Sequence, residues 1–128
     1  MFSHVMLGSN DMEASKKFYD ATLSVLGIPE AVQDPKGRVF YRSATGTFGL
    51  SIPINGEAAC HGNGSTLGFA ATSPELVDAW HAAGLANGGV AIEDPPGIRE
   101  SVTMKLYIAY LRDPTGNKVC ALYRYPMD

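Results

Sequence analysis

The sequence predicts an α+β fold in which two βαβββ modules pair and their strands form a curved mixed sheet around a groove. Three observations lead to this prediction: a β-hairpin near the end of the chain, two helices that each follow a strand, and a repeat that relates the two halves. Because each helix can cover one sheet face, the opposite faces are left to enclose a pocket, which is a favoured place for a small ligand.

The hairpin is the strongest local signal and extends from Tyr107 to Tyr123. Its two alternating segments are joined by the sequence Asp-Pro-Thr-Gly-Asn at residues 113–117. Pro114 presets φ for the first central position of a turn, and Gly116 or Asn117 can take a positive φ. Apolar and aromatic segments on both sides of such a turn indicate two antiparallel strands.

In the first half, a strand is predicted at the start of the chain, followed by a helix over about 11–26 and strands over 38–43 and 48–53. Asn10 and Glu13 resemble a capping box, and Gly27 supplies a stop signal. Alternation along the first strand predicts two faces, with Phe2, His4 and Met6 on one and Val5 and Leu7 on the other.

The second half repeats this order after a polar, glycine-rich linker at residues 55–65. A strand is predicted over 66–70 and a helix over 74–87, with Ser73 as N-cap and Pro74 in the first turn. Its buried face is expected to comprise Leu76, Val77, Trp80 and Leu85. Strands over 89–93 and 102–112 lead into the closing hairpin.

The two halves align without a gap at an offset of 62 residues, which places Glu13 on Glu75 and Phe18 on Trp80. Strand, cap, helix aromatic and terminal glycine coincide in this alignment, with Gly27 on Gly89, so a duplicated unit is expected. We therefore predict a single domain over 1–128, with module one at about 1–55, the linker at 55–65 and module two at about 66–126.

Composition excludes several functional classes. A chain of 128 residues with 45% apolar and 18% charged residues is typical of one globular domain. Its net charge of −3 argues against nucleic-acid binding, and its short apolar segments argue against a membrane span. With two cysteines and no visible signal peptide, a cytoplasmic protein with free thiols is expected.

Three segments resemble the vicinal-oxygen-chelate superfamily, which includes glyoxalase I, bleomycin-resistance proteins and extradiol dioxygenases. They are FSHVMLGSNDMEASKKFY at the start, GNGSTLGFAATS in the middle and AYLRDPTGNKVCALY near the end. The first and last are fairly specific, and the middle one is weak. The resemblance implies two paired βαβββ modules, often assembled as a homodimer, with a groove for a small-molecule ligand.

The superfamily's metalloenzymes bind a divalent cation through the first and last strands of each module. His4 matches the first of these positions, whereas Thr66 and Cys120 stand at two others and Leu50 or Ser51 at the fourth. This set leaves too few donors for a tight metal site. We therefore predict no cofactor. If a divalent metal does bind, His4 and Cys120 are its expected ligands.

The resemblance makes His4 and Cys120 the candidate catalytic residues and directs both at one groove. His4 is equally well explained as a satisfied histidine on a half-buried strand. The candidate substrate-binding residues are Met6, Thr66, Arg99, Tyr107, Tyr110 and Leu122. Arg99 could hold an anionic ligand or form a surface ion pair. The tyrosines could line either core or groove, and Cys60-His61 is expected to be solvated linker.

Three hypotheses about function remain open. The first is a metal-free small-molecule-binding protein, stabilised by bulky cationic or aromatic ligands. The second is a metal-dependent lyase, isomerase or dioxygenase of the same superfamily. The third is a metal-free enzyme that uses His4 as general base and Cys120 as nucleophile.

Overall fold

The structure is a computed structural model that describes residues 1–127, so that Asp128, the last residue of the predicted domain, lies outside it. Within this range the chain forms two helices and nine strands. In chain order they are β1 (His4–Gly8), α1 (Met12–Val25), β2 (Val32–Gln33), β3 (Val39–Ser43), β4 (Gly46–Ser51), β5 (Leu67–Ala70), α2 (Pro74–Ala86), β6 (Val90–Ala91), β7 (Gly97–Glu100), β8 (Lys105–Arg112) and β9 (Lys118–Arg124).

The strands form two mixed sheets, which confirms the predicted α+β fold class. The first sheet has the order β1-β4-β3-β2, and the second has the order β5-β9-β8-β6 with β7 also paired to β8. In each sheet the module's first strand pairs parallel with its last, and the other pairs are antiparallel. No strand pairing in residues 1–127 joins β1 to β5, so one chain holds two separate sheets.

The start of α1 differs from the prediction by one residue. Asp11, not Asn10, is the N-cap, and its Oδ1 accepts a hydrogen bond from the Ala14 amide at 3.0 Å. Asn10 instead donates to the Ala59 carbonyl (2.8 Å) and accepts from the Ala59 amide (2.6 Å). A carboxylate can only accept, which suits a helix N-terminus, whereas an amide can match both groups of a backbone.

The repeat holds at the helix starts and fails by one residue at their ends. Ser73 caps α2 as predicted, at the offset of 62 from Asp11. The left-handed residues that follow the helices are Gly27 (φ 83°) and Gly88 (φ 95°), so α2 is shorter than α1 and Gly89 is not the counterpart of Gly27. Gly89 lies so close to α1 that a Cβ there would be 2.6 Å from Phe18 Cε2.

The main core lies between the helices and one face of each sheet. Phe18 and Trp80, which the repeat aligns, are both fully buried. On α2 the buried residues are Val77, Trp80 and Gly84, whereas Leu85, predicted to be buried, is 46% exposed. Gly84 permits this rotation of α2 about its axis, because its Cα lies too close to Leu111 for a side chain to fit between them. With Gly84 facing the core, Leu85 faces solvent.

The second sheet also contains a strand that the sequence analysis missed. Residues predicted as the beginning of one long strand form a turn, in which the Ser101 amide donates to the Met104 carbonyl at 2.8 Å and Val102 is exposed. The preceding segment, Gly97–Glu100, pairs antiparallel with β8 as β7. Neither helix in residues 1–127 has the length and apolar character that a bilayer crossing requires.

The predicted hairpin is confirmed, and a buried carboxylate organises its turn. Asp113 Oδ1 accepts from the amides of residues 115, 116 and 117, each at 2.9 Å. Its Oδ2 accepts from the Tyr19 hydroxyl (2.6 Å) and from Asn117 Nδ2 (2.9 Å). Asn117 Nδ2 also donates to the Gly8 carbonyl at 3.0 Å. The turn thus fastens the second sheet to both α1 and the end of β1.

Candidate ligand-binding site

Each sheet has one face on the core and one face turned away from the helices, which we call its outer face. On β1, Leu7 packs against the core, so His4 and Met6 belong to the first outer face, as their alternation predicts. On β9, Val119 and Ala121 are fully buried in the core, so Cys120 and Leu122 belong to the second outer face.

Strand register places the side chains of the first outer face in two rows. Thr47 on β4 stands opposite both His4 on β1 and Arg42 on β3, which gives a row of three hydrogen-bonding side chains. In the next row, Gly49 stands between Met6 and Phe40. A cavity of about 350 Å³, the face cavity, is lined by Ser3, His4, Met6, Arg38, Phe40, Arg42 and Thr47.

The face cavity has an apolar floor and a positive rim. A Cβ on Gly49 would lie 2.4 Å from Met6 Sδ and 3.0 Å from Phe40 Cδ1, so the missing side chain gives both groups their room. The guanidinium carbons of Arg38 and Arg42 lie 5.4 and 5.1 Å from the Phe40 ring centroid. Such distances are within the range of cation–π attraction.

The two arginines differ in their partners. Arg38 Nη2 lies 2.6 Å from Asp34 Oδ2, and Arg38 Nε donates to the same oxygen at 2.7 Å. Arg42 has no carboxylate within 4.0 Å among residues 1–127. The charge of Arg38 is therefore already balanced, and that of Arg42 is left for an external partner.

The second outer face is closed and largely apolar. Leu106, Ile108 and Cys120 are 8%, 4% and 5% exposed, although they lie on the side away from the helices. Tyr110 stands opposite Cys120, with the Lys118 ammonium 4.9 Å from its ring centroid and Glu93 paired to that ammonium. Burial raises the pKa of the Cys120 thiol to about 11. The thiol is therefore protonated at neutral pH.

Two further cavities lie between the facing edges of β1 and β5. The linker cavity, about 650 Å³, is lined by Met6 and Thr66 together with linker residues that include Cys60. The aromatic cavity, about 470 Å³, lies toward the start of β1, and its aromatic lining consists of Phe2, Tyr41, Phe48 and Phe69. Cys60 and His61 are exposed, as expected for solvated linker.

Of the two positions left open for the tyrosines, Tyr107 takes the one on the core side of its sheet. Its side chain packs against the core on the helix side, and its hydroxyl donates to Asp78 Oδ1 on α2 at 2.7 Å. Successive strand residues alternate between faces, so Tyr110, three residues later, points the other way and shares the face of Cys120. A ligand-binding role for Tyr107 stays a prediction, and it would require a site other than the two outer faces.

Apart from Thr66, which lines the linker cavity, the remaining predicted residues divide between the two outer faces. His4 and Met6 lie on the first, whereas Tyr110, Cys120, Leu122 and Arg99 lie on the second. Arg99 forms no ion pair within residues 1–127 and donates instead to the Pro95 carbonyl at 3.1 Å. None of the three cavities described is lined by both His4 and Cys120. Their shared groove stays a prediction.

The donor set does not fit the divalent metal that the resemblance implies. No group of three or more His, Cys, Asp or Glu side chains suited to a metal occurs in residues 1–127. The neighbours of His4 across the sheet are Thr47 and then Arg42, which supply a weak ligand and a positive charge. Cys120 holds its proton, and a thiol must lose its proton to bind a metal.

Five residues of the face cavity were missed by the sequence analysis: Ser3, Arg38, Phe40, Arg42 and Thr47. Period-two alternation on β3 separates Phe40 and Arg42 from the buried Val39 and Tyr41, and that signal is present in the sequence. What the sequence could not provide is the register with β4, which brings Arg42 opposite Thr47 and hence beside His4.

Comparison with known proteins identifies the family. The model of the Glyoxalase/Bleomycin resistance protein/Dioxygenase superfamily matches residues 1–121. A glyoxalase/bleomycin resistance protein from Albidiferax ferrireducens T118 is 65% identical, with a TM-score of 0.93 over 97% of this chain and 99% of that chain. No curated protein matches the sequence.

More distant structures share the fold. A glyoxalase/bleomycin resistance protein/dioxygenase family enzyme from Burkholderia phytofirmans PsJN has 20% identity and a TM-score of 0.72, over 96% of this chain and 98% of that chain. A lactoylglutathione lyase from Agrobacterium tumefaciens has 22% identity and a TM-score of 0.65, over 96% and 92%.

Proposed function

Because this chain belongs to the glyoxalase/bleomycin resistance protein/dioxygenase superfamily, we propose that it is a small-molecule-binding protein that works without a bound metal. One observation carries the proposal: hydrogen-bonding side chains stand beside an apolar floor in the face cavity, where His4 belongs to no cluster of three His, Cys, Asp or Glu side chains within residues 1–127. Pockets that bind small molecules typically combine an apolar lining with a few polar groups that fix orientation.

The chemistry of Cys120 favours binding over metal-free catalysis. A nucleophilic cysteine needs its thiolate, and the Cys120 thiol is buried with a raised pKa. Its titratable neighbours include Tyr110, opposite it on β8, and Lys118, two residues before it on β9, and Lys118 is already paired with Glu93. Lys118 is occupied by that pairing, and Tyr110 keeps its proton at neutral pH because burial raises its pKa, so neither acts as a base toward the thiol.

We also propose that the protein acts as a homodimer. β1 pairs only with β4, and β5 only with β9, among the strands of residues 1–127, so each presents one free edge. Free strand edges invite pairing with another chain. Large apolar side chains beside β1 and β4 are exposed as well, at 71% for Phe2, 64% for Ile52 and 106% for Ile54. A second copy would cover both features.

A cytoplasmic location stays our prediction. Cys60 and Cys120 are free thiols, one exposed and the other buried. Unpaired cysteines are typical of a reducing compartment.

Thermal-shift measurements test the proposed function. The purified protein, with and without prior EDTA treatment, is screened against aromatic small molecules and against Zn²⁺, Mn²⁺, Fe²⁺ and Ni²⁺ alone. We expect stabilisation by organic ligands that EDTA does not change, and less than stoichiometric metal by elemental analysis. Stabilisation by organic ligands only in the presence of a metal would refute the metal-free proposal.

Light scattering tests the dimer separately. We expect the mass of two chains at micromolar concentration. The matched variants are Phe2→Ser beside the edge of β1 and Leu85→Ser on the exposed face of α2. Phe2→Ser should weaken association, and Leu85→Ser should leave it unchanged. A wild-type protein that stays monomeric would contradict the assembly and leave ligand binding to be judged on its own data.

A further inference from the structure

We infer that the face cavity selects an organic anion, namely a small carboxylate with an apolar, aromatic-sized body. The carboxylate meets the row of His4, Thr47 and Arg42, and the body lies on Met6 and Phe40. The inference rests on the proposed function and adds the charge class of the ligand to it. Sequence analysis alone left cationic ligands as open as anionic ones.

Three side chains that can donate hydrogen bonds stand side by side along the row. Neighbouring strands are about 4.8 Å apart, so side chains on β1, β4 and β3 span about 10 Å and can reach one carboxylate. The Ser3 hydroxyl lies 2.7 Å from His4 Nδ1, and in the tautomer in which this hydroxyl donates to Nδ1, His4 Nε2 carries the proton that a carboxylate would accept. Thr47 contributes a hydroxyl, and Arg42 contributes a planar guanidinium whose paired N–H groups match a carboxylate.

The charge of the cavity also favours an anion. Its lining includes two arginines and no acidic side chain. Asp34 balances Arg38, whereas Arg42 has no carboxylate partner within residues 1–127. An incoming cation would meet an uncompensated positive charge, and an incoming carboxylate would supply the partner that Arg42 lacks.

The floor accounts for the apolar part of the ligand. Gly49 leaves the space in which the Met6 thioether and the Phe40 ring lie side by side across β4. Methionine sulfur and an aromatic ring are polarizable surfaces that suit a flat apolar body. The cavity of about 350 Å³ admits a one- or two-ring carboxylate, without room for a large polymeric ligand.

Three naphthalene probes test the inference because they share one ring system and differ in charge. They are naphthalene-2-carboxylate, naphthalene-2-carboxamide and naphthalen-2-ylmethylammonium, titrated calorimetrically at pH 7.5 and low salt. The variants are Arg42→Gln, Arg42→Lys and Lys17→Gln. Lys17 is exposed on α1, and its loss changes the net charge equally.

We expect the carboxylate to bind at least tenfold more tightly than either other probe, which is about 1.4 kcal/mol, since charge-assisted hydrogen bonds are stronger than neutral ones. Arg42→Gln should remove that preference, Arg42→Lys should restore part of it, and Lys17→Gln should retain it fully. Thermal unfolding of each variant checks that the fold is intact.

Results that contradict these expectations would show whether only this inference or also the proposed function is wrong. If the amide or the ammonium binds as tightly as the carboxylate, or if Arg42→Gln leaves the preference intact, the anion selectivity is wrong while small-molecule binding stands. If no probe binds and the wider thermal-shift screen also yields no ligand, the proposed function fails and the inference fails with it.

Discussion

At matching places in the two modules, the outer faces exchange a sulfur-containing side chain for a glycine. In the first module, Met6 on the first strand lies over Gly49 on the last strand. In the second module the glycine is Gly68 on the first strand, and Cys120 on the last strand lies 3.1 Å from the place of its Cβ. Each pair thus combines one sulfur-containing side chain with one glycine. The glycine is on the last strand in the first module and on the first strand in the second.

The exchange is accompanied by a difference in access. Above the Met6–Gly49 pair, the first face stays open and carries His4, Thr47 and Arg42. On the second face, Cys120 beside Gly68 is only 5% exposed, and Leu106 and Ile108, farther along β8, are also buried, so this part of the face is closed. A duplicated framework therefore supplies one surface for a ligand and one that behaves as a second small core.

The largest effect should come from shortening one apolar side chain on each outer face. Ile108→Ala removes a side chain that is 4% exposed and should lower the free energy of unfolding by about 2–4 kcal/mol. Phe40→Ala on the open face should cost less than half of that, because its ring is only half-buried. Urea unfolding of both variants measures the difference. Equal losses would mean that the two faces are buried alike.

The next effect concerns pH and the buried thiol. The pKa of Cys120 is raised from 9.0 to about 11, so the unfolded thiol ionises before the folded one does. Its contribution to stability is complete below pH 9 and is lost between about pH 9 and 11, by roughly 2 kcal/mol. Urea unfolding across this window should decline less steeply for Cys120→Ala than for wild type.

Cys60→Ala is the matched control for that measurement, because Cys60 is exposed. It should keep the wild-type pH dependence. Burial also raises the pKa of Tyr19 and Tyr41, so part of the decline is common to every variant and only the difference between variants reports on Cys120. Identical curves for all three proteins would show that the second face is open to water.

A smaller effect should follow from loosening the connection between the faces. Asn117→Ala removes the side-chain donor to the Gly8 carbonyl and to Asp113, and should cost about 1–2 kcal/mol. Amide hydrogen exchange should accelerate in β1 and leave β3 unchanged. Asn87→Ala, whose side chain donates only to Ala83 at the end of α2, is the control and should leave exchange in β1 unaltered.

The smallest effect is expected at Lys118, on the closed face. Lys118→Gln breaks the ion pair with Glu93. Because the two side chains are 27% and 44% exposed, the free energy of unfolding should fall by less than about 1 kcal/mol. It should leave naphthalene-2-carboxylate binding unchanged, in contrast to Arg42→Gln. A loss of binding in Lys118→Gln would place the anion on the second face.

Local signals in the sequence were sufficient for much of the fold. Ser73 and Pro74 fix the start of α2, and the Asp113–Asn117 turn fixes the hairpin. The same turn also determines that Tyr110 faces Cys120, since the pairs of an antiparallel hairpin follow from its loop. The placement of Tyr107 was therefore within reach of the sequence, and the missed step was to extend the register from the turn.

The face cavity could not be predicted from the sequence, because it depends on contacts between segments that are far apart in the chain. Arg42 is an ordinary exposed residue on β3 until β4 pairs with both β1 and β3. The cap of α1 has a similar cause: Asn10 and Asp11 are both good N-caps, and the contact with Ala59, 49 residues away, decides between them. Propensity cannot weigh a partner that far along the chain.

The pair of hydrogen bonds between Asn10 and Ala59 also bears on domain exchange. Two-module chains joined by a flexible linker can trade their second modules between copies, and hinge segments decide whether they do. Here the linker is held to the first module at Ala59, so the glycine-containing segment after it is all that remains free to span a gap. Trading modules would break both of these bonds as well as the bonds from Tyr19 to Asp113 and from Asn117 to Gly8, so Asn10 is one of the residues that hold the two modules of each chain together.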